Sequence, residues 1–117
     1  MIRREERDIA QSTITIRDLN DRLRQHGEGG RIMLTRAVAA QPPDRISAIL
    51  AAVQRFDAFT SANDPWGEHD FGQVQIEGKR YFWKIDAYDL NMEFGSPDPA
   101  DESLTRRVMT IMTDGGL

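Results

Sequence analysis

The sequence predicts an α+β fold: a single domain in which an antiparallel sheet of three to four strands packs against about three helices. Three observations lead there. Ile46, Ile49, Leu50, Val53 and Phe56 recur at helical spacing. Val74 and Ile76 alternate with Gln73, Gln75 and Glu77, and a second alternating run from Arg80 to Tyr88 follows across a Glu77-Gly78 turn. The chain has 117 residues, a common size for one core, and no cysteine to staple a smaller one.

Taken in order, residues 1–13 are charged and weakly patterned, which fits a flexible arm or a loosely docked helical extension, with the domain proper over 14–117. Thr15 reads as an N-cap with Asp18 three positions on, close to a capping box. Ile16, Leu19 and Leu23 then form one helical stripe, and Gly27, Gly29 and Gly30 end it. Arg31 to Leu34 reads as a short, mostly buried strand. Pro42-Pro43 opens the helix that carries the Ile46 to Phe56 stripe, expected to end near Phe59 because Thr60 to Pro65 is dense in turn formers.

In the returning strand Tyr81, Trp83, Ile85 and Ala87 share one face, while Phe82, Lys84, Asp86 and Tyr88 share the other. Leu90 to Phe94 is expected to add a third antiparallel strand, and Gly95 to Pro99 a rigid loop. The tail from Asp101 reads as a helix: Asp101 offers an N-cap, and Leu104, Val108, Ile111 and Met112 fit a helical stripe, although Val108 to Met112 also suits a strand.

Charge is unevenly spread. The net charge is −4, yet residues 57–103 hold eleven acids against three bases, while residues 1–36 hold eight arginines against six acids. An acidic third quarter is either a solvated face or a surface for a basic partner. Direct nucleic-acid binding is not expected, because no basic stripe is present to neutralise phosphates. No apolar run is long enough to span a bilayer, and the opening residues lack the apolar core of a secretory signal, so a cytoplasmic location is expected. The lack of cysteine excludes disulfides, thiolate zinc sites and thiol nucleophiles.

The functional candidates lie between Phe56 and Asp89, where Asp64, Glu68, His69, Asp70, Asp86 and Asp89 are interleaved with Trp66, Tyr88 and the strand aromatics. Asn63 to Gly67 is first a turn, and second a loop that could present Trp66 as an anchor to a partner. Glu68-His69-Asp70 is the one acid–imidazole–acid run. The commoner role for such a His is structural, its ring held by Asp70 or a backbone carbonyl. A metal would need His69 and Asp70 to converge with Asp86 or Asp89, and neighbouring side chains on extended backbone point apart. Lys84 and Asp86 share a strand face, but Phe82 occupies the place where a metal-dependent nuclease carries an acid. A cross-strand ion pair of Lys84, for example with Glu93, is the simpler expectation. Gly27 to Gly30 precedes a strand and is a turn, not a phosphate loop, and no serine stands in a nucleophile elbow. No cofactor is expected.

The blocks NDPWGEHDFG, FWKIDAYD, SPDPAD and TRRVMTIM, in this order and spacing, closely resemble a family of small bacterial proteins known as domain of unknown function 3768, from about Ile16 to Met112. The family pattern has Tyr at the positions of Trp66 and Ala87, so the first departure keeps an aromatic and the second removes a phenol. The resemblance implies a setting on mobile elements, where small acidic proteins include inhibitors of host defence such as anti-CRISPR proteins.

Together these readings favour a small acidic binding or inhibitor protein. Its partner would be a protein with a basic surface, for instance within a nucleic-acid-processing complex, met through Asp64, Trp66, Glu68, His69, Asp70, Lys84, Asp86, Tyr88 and Asp89. The alternatives are a metal-dependent hydrolase using Asp64, His69, Asp70, Asp86 and Asp89, and a homodimer formed through the second sheet face. No membrane partner is expected.

Overall fold

The computed structural model describes residues 4–116. Helix α1 spans Arg4–His26. Thr15 is therefore not its N-cap: it lies mid-helix, and its hydroxyl donates to the Gln11 carbonyl at 3.0 Å, the usual recourse of a Thr inside a helix. The apolar stripe correctly marks the buried side, where Leu23 is fully enclosed. The helix closes where the Gly27 N–H donates to the Leu23 carbonyl at 2.8 Å.

Strand β1, Arg31–Leu34, follows, but it is an edge strand and not mostly buried: Ile32 and Met33 are 37% and 50% exposed. A single-turn helix α2, Arg36–Ala39, buries Val38. Four residues carry too little period for the sequence to reveal it. Helix α3, Pro43–Gln54, begins with Pro43 in its first turn, where the missing N–H costs nothing. Its stripe buries Ile49 and Val53. It stops short of Phe59, and the Phe56 and Phe59 rings then meet edge to face at 4.9 Å in the irregular segment that follows.

Strands β2, Phe71–Ile76, and β3, Lys79–Tyr88, form the expected hairpin, with Ile76 opposite Lys79. Glu77 and Gly78 both have positive φ, 50° and 79°, the paired left-handed geometry that matches strand twist in a two-residue turn. The expected strand at Leu90 to Phe94 does not form. Asp89 folds that segment into a loop: its N–H donates to the Phe94 carbonyl at 2.8 Å and its carboxylate accepts from the Glu93 N–H at 3.0 Å. Local capping by an Asp outcompetes the ladder here.

The C-terminal segment is also corrected. Asp101 caps only a short 3-10 turn, Glu102–Leu104, by accepting from the Ser103 N–H. The chain then continues as strand β4, Arg106–Thr113, instead of a helix. β4 lies inside the sheet, whose order is β1-β4-β3-β2. It runs antiparallel to β3 and parallel to β1, so the sheet is mixed and not antiparallel throughout. Both of its faces are enclosed: Val108, Met109, Ile111 and Met112 are all buried. A strand buried on both sides shows continuous apolar residues, not alternation, and is easily mistaken for a helix.

One sheet face, bearing Val74, Tyr81, Trp83, Ile85, Met109 and Ile111, packs against Leu23, Val38, Ile49 and Val53 to form the core. Gly72 is needed in this layer, since a Cβ there would stand 2.5 Å from Trp83 Nε1. Phe82, Met112 and Val108 occupy the opposite face, where Phe71 and Phe82 stack at 6.0 Å. Among the described residues, no helix is long and apolar enough to cross a membrane.

Candidate functional site

The loop from α3 to β2 is built by its own polar side chains. Asn63 and Thr60 exchange side-chain bonds with each other's backbone N–H groups, at 2.8 and 3.2 Å. The Asp64 N–H donates to the Thr60 carbonyl, and the Gly67 N–H to the Asp64 carbonyl. These turns carry Trp66 outward, where it remains 79% exposed. The loop is thus rigid at its base and aromatic at its tip.

The chain comes back through His69, which adopts a positive φ of 55°, a conformation few non-glycine residues hold without compensation. The compensation is visible. Its imidazole stacks on Phe59 with centroids 3.7 Å apart, and its Nδ1 lies 2.8 Å from Asp21 Oδ1. Because an ionised carboxylate only accepts, Nδ1 carries the hydrogen. The His69 N–H donates to Asp64 Oδ1 at 3.2 Å, and Nε2 faces Asp64 Oδ2 at 3.6 Å. Asp21 also receives Arg24, whose guanidinium is buried over Phe59 and Trp83 at 5.2 Å from each centroid. The ring is therefore held by α1, not by Asp70 or a carbonyl.

A second anchor lies beside the first. Asn20, buried on α1, donates to the Glu68 carbonyl at 2.9 Å and accepts from Arg107 Nε at 2.7 Å. It joins helix, loop and central strand in one bonded chain. Burial pushes the Arg107 guanidinium's pKa down, while the Glu102 and Glu68 carboxylates oppose that shift.

Of the nine candidate residues, Glu68 and Asp70 have carboxyls that resist ionising. Burial, then the Asp70 and Asp64 charges, push the Glu68 carboxyl above the usual range. Burial also raises Asp70, a bond to its own backbone opposes it, and Asp64 and Asp86 add repulsion. Glu68 and Asp70 thus resist ionising chiefly because they are partly buried, and secondly because neighbouring carboxylates repel them. Asp86 is eased by Lys84 at 3.2 Å, an ion pair along one strand instead of the cross-strand pair expected. Asp64 has a side chain only 6% exposed, and its carboxylate is taken up by the His69 backbone N–H. Asp89 is spent on its loop. Tyr88, half-buried, sits opposite Arg106 in the β3–β4 register and bridges to Gly95. Among the described residues, no three His, Asp or Glu side chains stand where they could share a metal ion.

Sequence reasoning missed Asp21, Asn20, Arg24, Phe59 and Arg107. A signal did exist for two of them. Asn20 and Arg24 continue the Ile16, Leu19, Leu23 stripe at helical spacing, so polar side chains stood on a face destined for burial.

The chain belongs to the family described as Protein of unknown function (DUF3768), whose model matches residues 34–115. No curated protein and no solved structure matches the chain.

Proposed function

We propose that this is a non-enzymatic binding protein that presents Trp66 with Glu68, Asp70 and Asp86 to a basic surface on another macromolecule. The observation that supports it most is the conjunction of an aromatic left 79% exposed on a braced loop with two carboxyls, two and four positions on, that are held above their usual range. Exposure of a large aromatic suits an anchor that fills a partner's pocket. Two carboxyls held above their usual range are an electrostatic cost in the free protein, and a partner's arginines or lysines would remove it on docking.

The most concrete form of the reading is occlusion of a nucleic-acid groove. Such a groove already favours negative charge, so closely spaced carboxylates can stand where phosphates would lie. Inhibition of a defence or nucleic-acid-processing complex is one biological version of that contact. His69, Asp64 and Asp89 take supporting parts in this scheme, since their polar atoms are turned to the loop backbone or to α1.

The test is capture of the partner on immobilised protein, followed by displacement with short duplex DNA. The double change Glu68→Lys with Asp70→Lys, and separately Trp66→Ala, should each abolish capture without lowering the urea midpoint. Capture that survives both variants, or that DNA cannot displace, overturns the reading.

A further inference from the structure

The geometry points to a second site, for a small phosphate-bearing ligand of about mononucleotide size, between the start of β1 and the start of β4. A cavity of about 580 Å³ opens there, lined by Gly30, Arg31, Met92, Arg106 and Val108 among others. That volume lies within the range of small-molecule sites, roughly 300–1,000 Å³.

Its charge is the opposite of the acidic loop's. Arg31 is paired in register with Val108, so Arg106 lies two positions earlier on the same face of β4, a diagonal neighbour within reach of long side chains. Arg107, next in sequence, turns to the other face and is consumed by Asn20. Arg31 and Arg106 are both exposed, and among the described residues neither has an ion-pair partner. Arg22, Arg24, Arg45 and Arg80 find carboxylates, and among the described residues Arg36 and Arg55 share the unpaired state but lie outside the cavity. Of the acids on this side, Asp86 lies opposite Val108 and is engaged by Lys84, and Glu102, beside the lining residue Gly29, is engaged by Arg22.

Two guanidiniums side by side repel, and an anion between them converts that repulsion into attraction. Guanidinium forks match the oxygens of a phosphate two at a time, whereas a lysine ammonium would meet them only as a point charge. The lining also includes Thr105 and Arg107, and its apolar part is Met92 with Val108. Met92, held at a positive φ of 60° on the Asp89 loop, and Val108 supply a surface for the non-ionic body of the ligand. Charge at one side and thioether and valine at the other describe an organic phosphate better than a bare ion.

The experiment is calorimetric titration of the full chain with AMP, adenosine, inorganic phosphate and a short single-stranded oligonucleotide. AMP should bind saturably, one per chain, tighter than inorganic phosphate, with no saturable binding of adenosine. Arg31→Gln with Arg106→Gln should weaken AMP by at least tenfold without lowering the melting temperature of the free protein. Arg36→Gln with Arg55→Gln removes the same charge from exposed positions outside the cavity and should leave AMP binding unchanged. The assignment is overturned by an absence of saturable AMP binding, by equal losses in the two double variants, or by an oligonucleotide that binds far tighter than AMP through the same two arginines.

Discussion

The imidazole of His69 lies flat on the ring of Phe59, with centroids 3.7 Å apart and planes within 2° of parallel. Its Nδ1 is bound by Asp21, 48 positions earlier on α1. This pair clamps the acidic loop to the helical layer, so the histidine that looks most like a ligand in the sequence is a fastener. Removing it should cost stability in two parts. An aromatic stack is worth ~0.5–1.5 kcal/mol and a hydrogen bond to a charged group ~1.5–3 kcal/mol, and alanine must still hold the positive φ of 55°. His69→Ala should therefore lower the unfolding free energy by about 2 kcal/mol in urea titrations, and His69→Phe, which keeps the stack, by about half as much.

The partial burial of Glu68 and Asp70, with repulsion from neighbouring carboxylates second, predicts an unusual pH response. An acid whose folded-state pKa is raised holds its proton more tightly when folded. Its cost is absent below the ordinary carboxylate range, about 4, and grows as pH rises through that value to the raised one. Above that window the cost is complete. Both carboxyls retain solvent access, so screening keeps the sum below about 1 kcal/mol. Glu68→Gln with Asp70→Asn should therefore raise the denaturation midpoint at pH 7 and leave it nearly unchanged at pH 3. Added salt should shrink the neutral-pH difference, because the repulsion is exposed.

The parts of this fold that were legible in the sequence are those with local causes. Ile49 and Val53 announce α3 by spacing, and Glu77-Gly78 announces the hairpin by its turn chemistry. Tyr81, Trp83 and Ile85 announce the buried face of β3 by alternation. What stayed hidden depends on partners far along the chain. β4 pairs with β1, which lies about 75 positions earlier, and enclosure on both faces erased the alternation that would have marked it as a strand. The site divides in the same way. Trp66 and the neighbouring acids could be found from composition, whereas Asp21 and Asn20 act on the loop through contacts that no local pattern encodes.

Gly72 supplies a test of the hairpin's seat on the core. It stands opposite Trp83 in the β2–β3 register, and a methyl group there would fall 2.5 Å from Nε1 and 2.7 Å from Cε2. Trp83 is fully buried and cannot swing aside, so the strand must shift instead. Overpacking of this kind costs typically ~1–3 kcal/mol. Gly72→Ala should lose that much in chemical denaturation. Gly95→Ala, where nothing lies within 4 Å of the added carbon, should be close to neutral. Equal effects at the two positions would remove the packing argument.

Asn20 is the residue through which stability and the acidic loop are most directly linked. Its amide donates to the Glu68 carbonyl while its oxygen accepts from buried Arg107, so one side chain satisfies two groups that have little access to water. Asn20→Ala strips both, and leaving a buried polar group unsatisfied costs ~1–3 kcal/mol, more where it is charged. A loss of about 3 kcal/mol in urea titrations is expected. Asn20→Asp separates the two bonds: the carboxylate still accepts from Arg107 but cannot donate to the Glu68 carbonyl, and it adds charge beside the Glu68 side chain. That variant should keep most of the stability while raising amide exchange at Glu68 to Asp70 and weakening partner capture. If Asn20→Asp leaves exchange in the loop unchanged, then His69 with Asp21 is sufficient to hold it and the Asn20 bond is incidental to its shape.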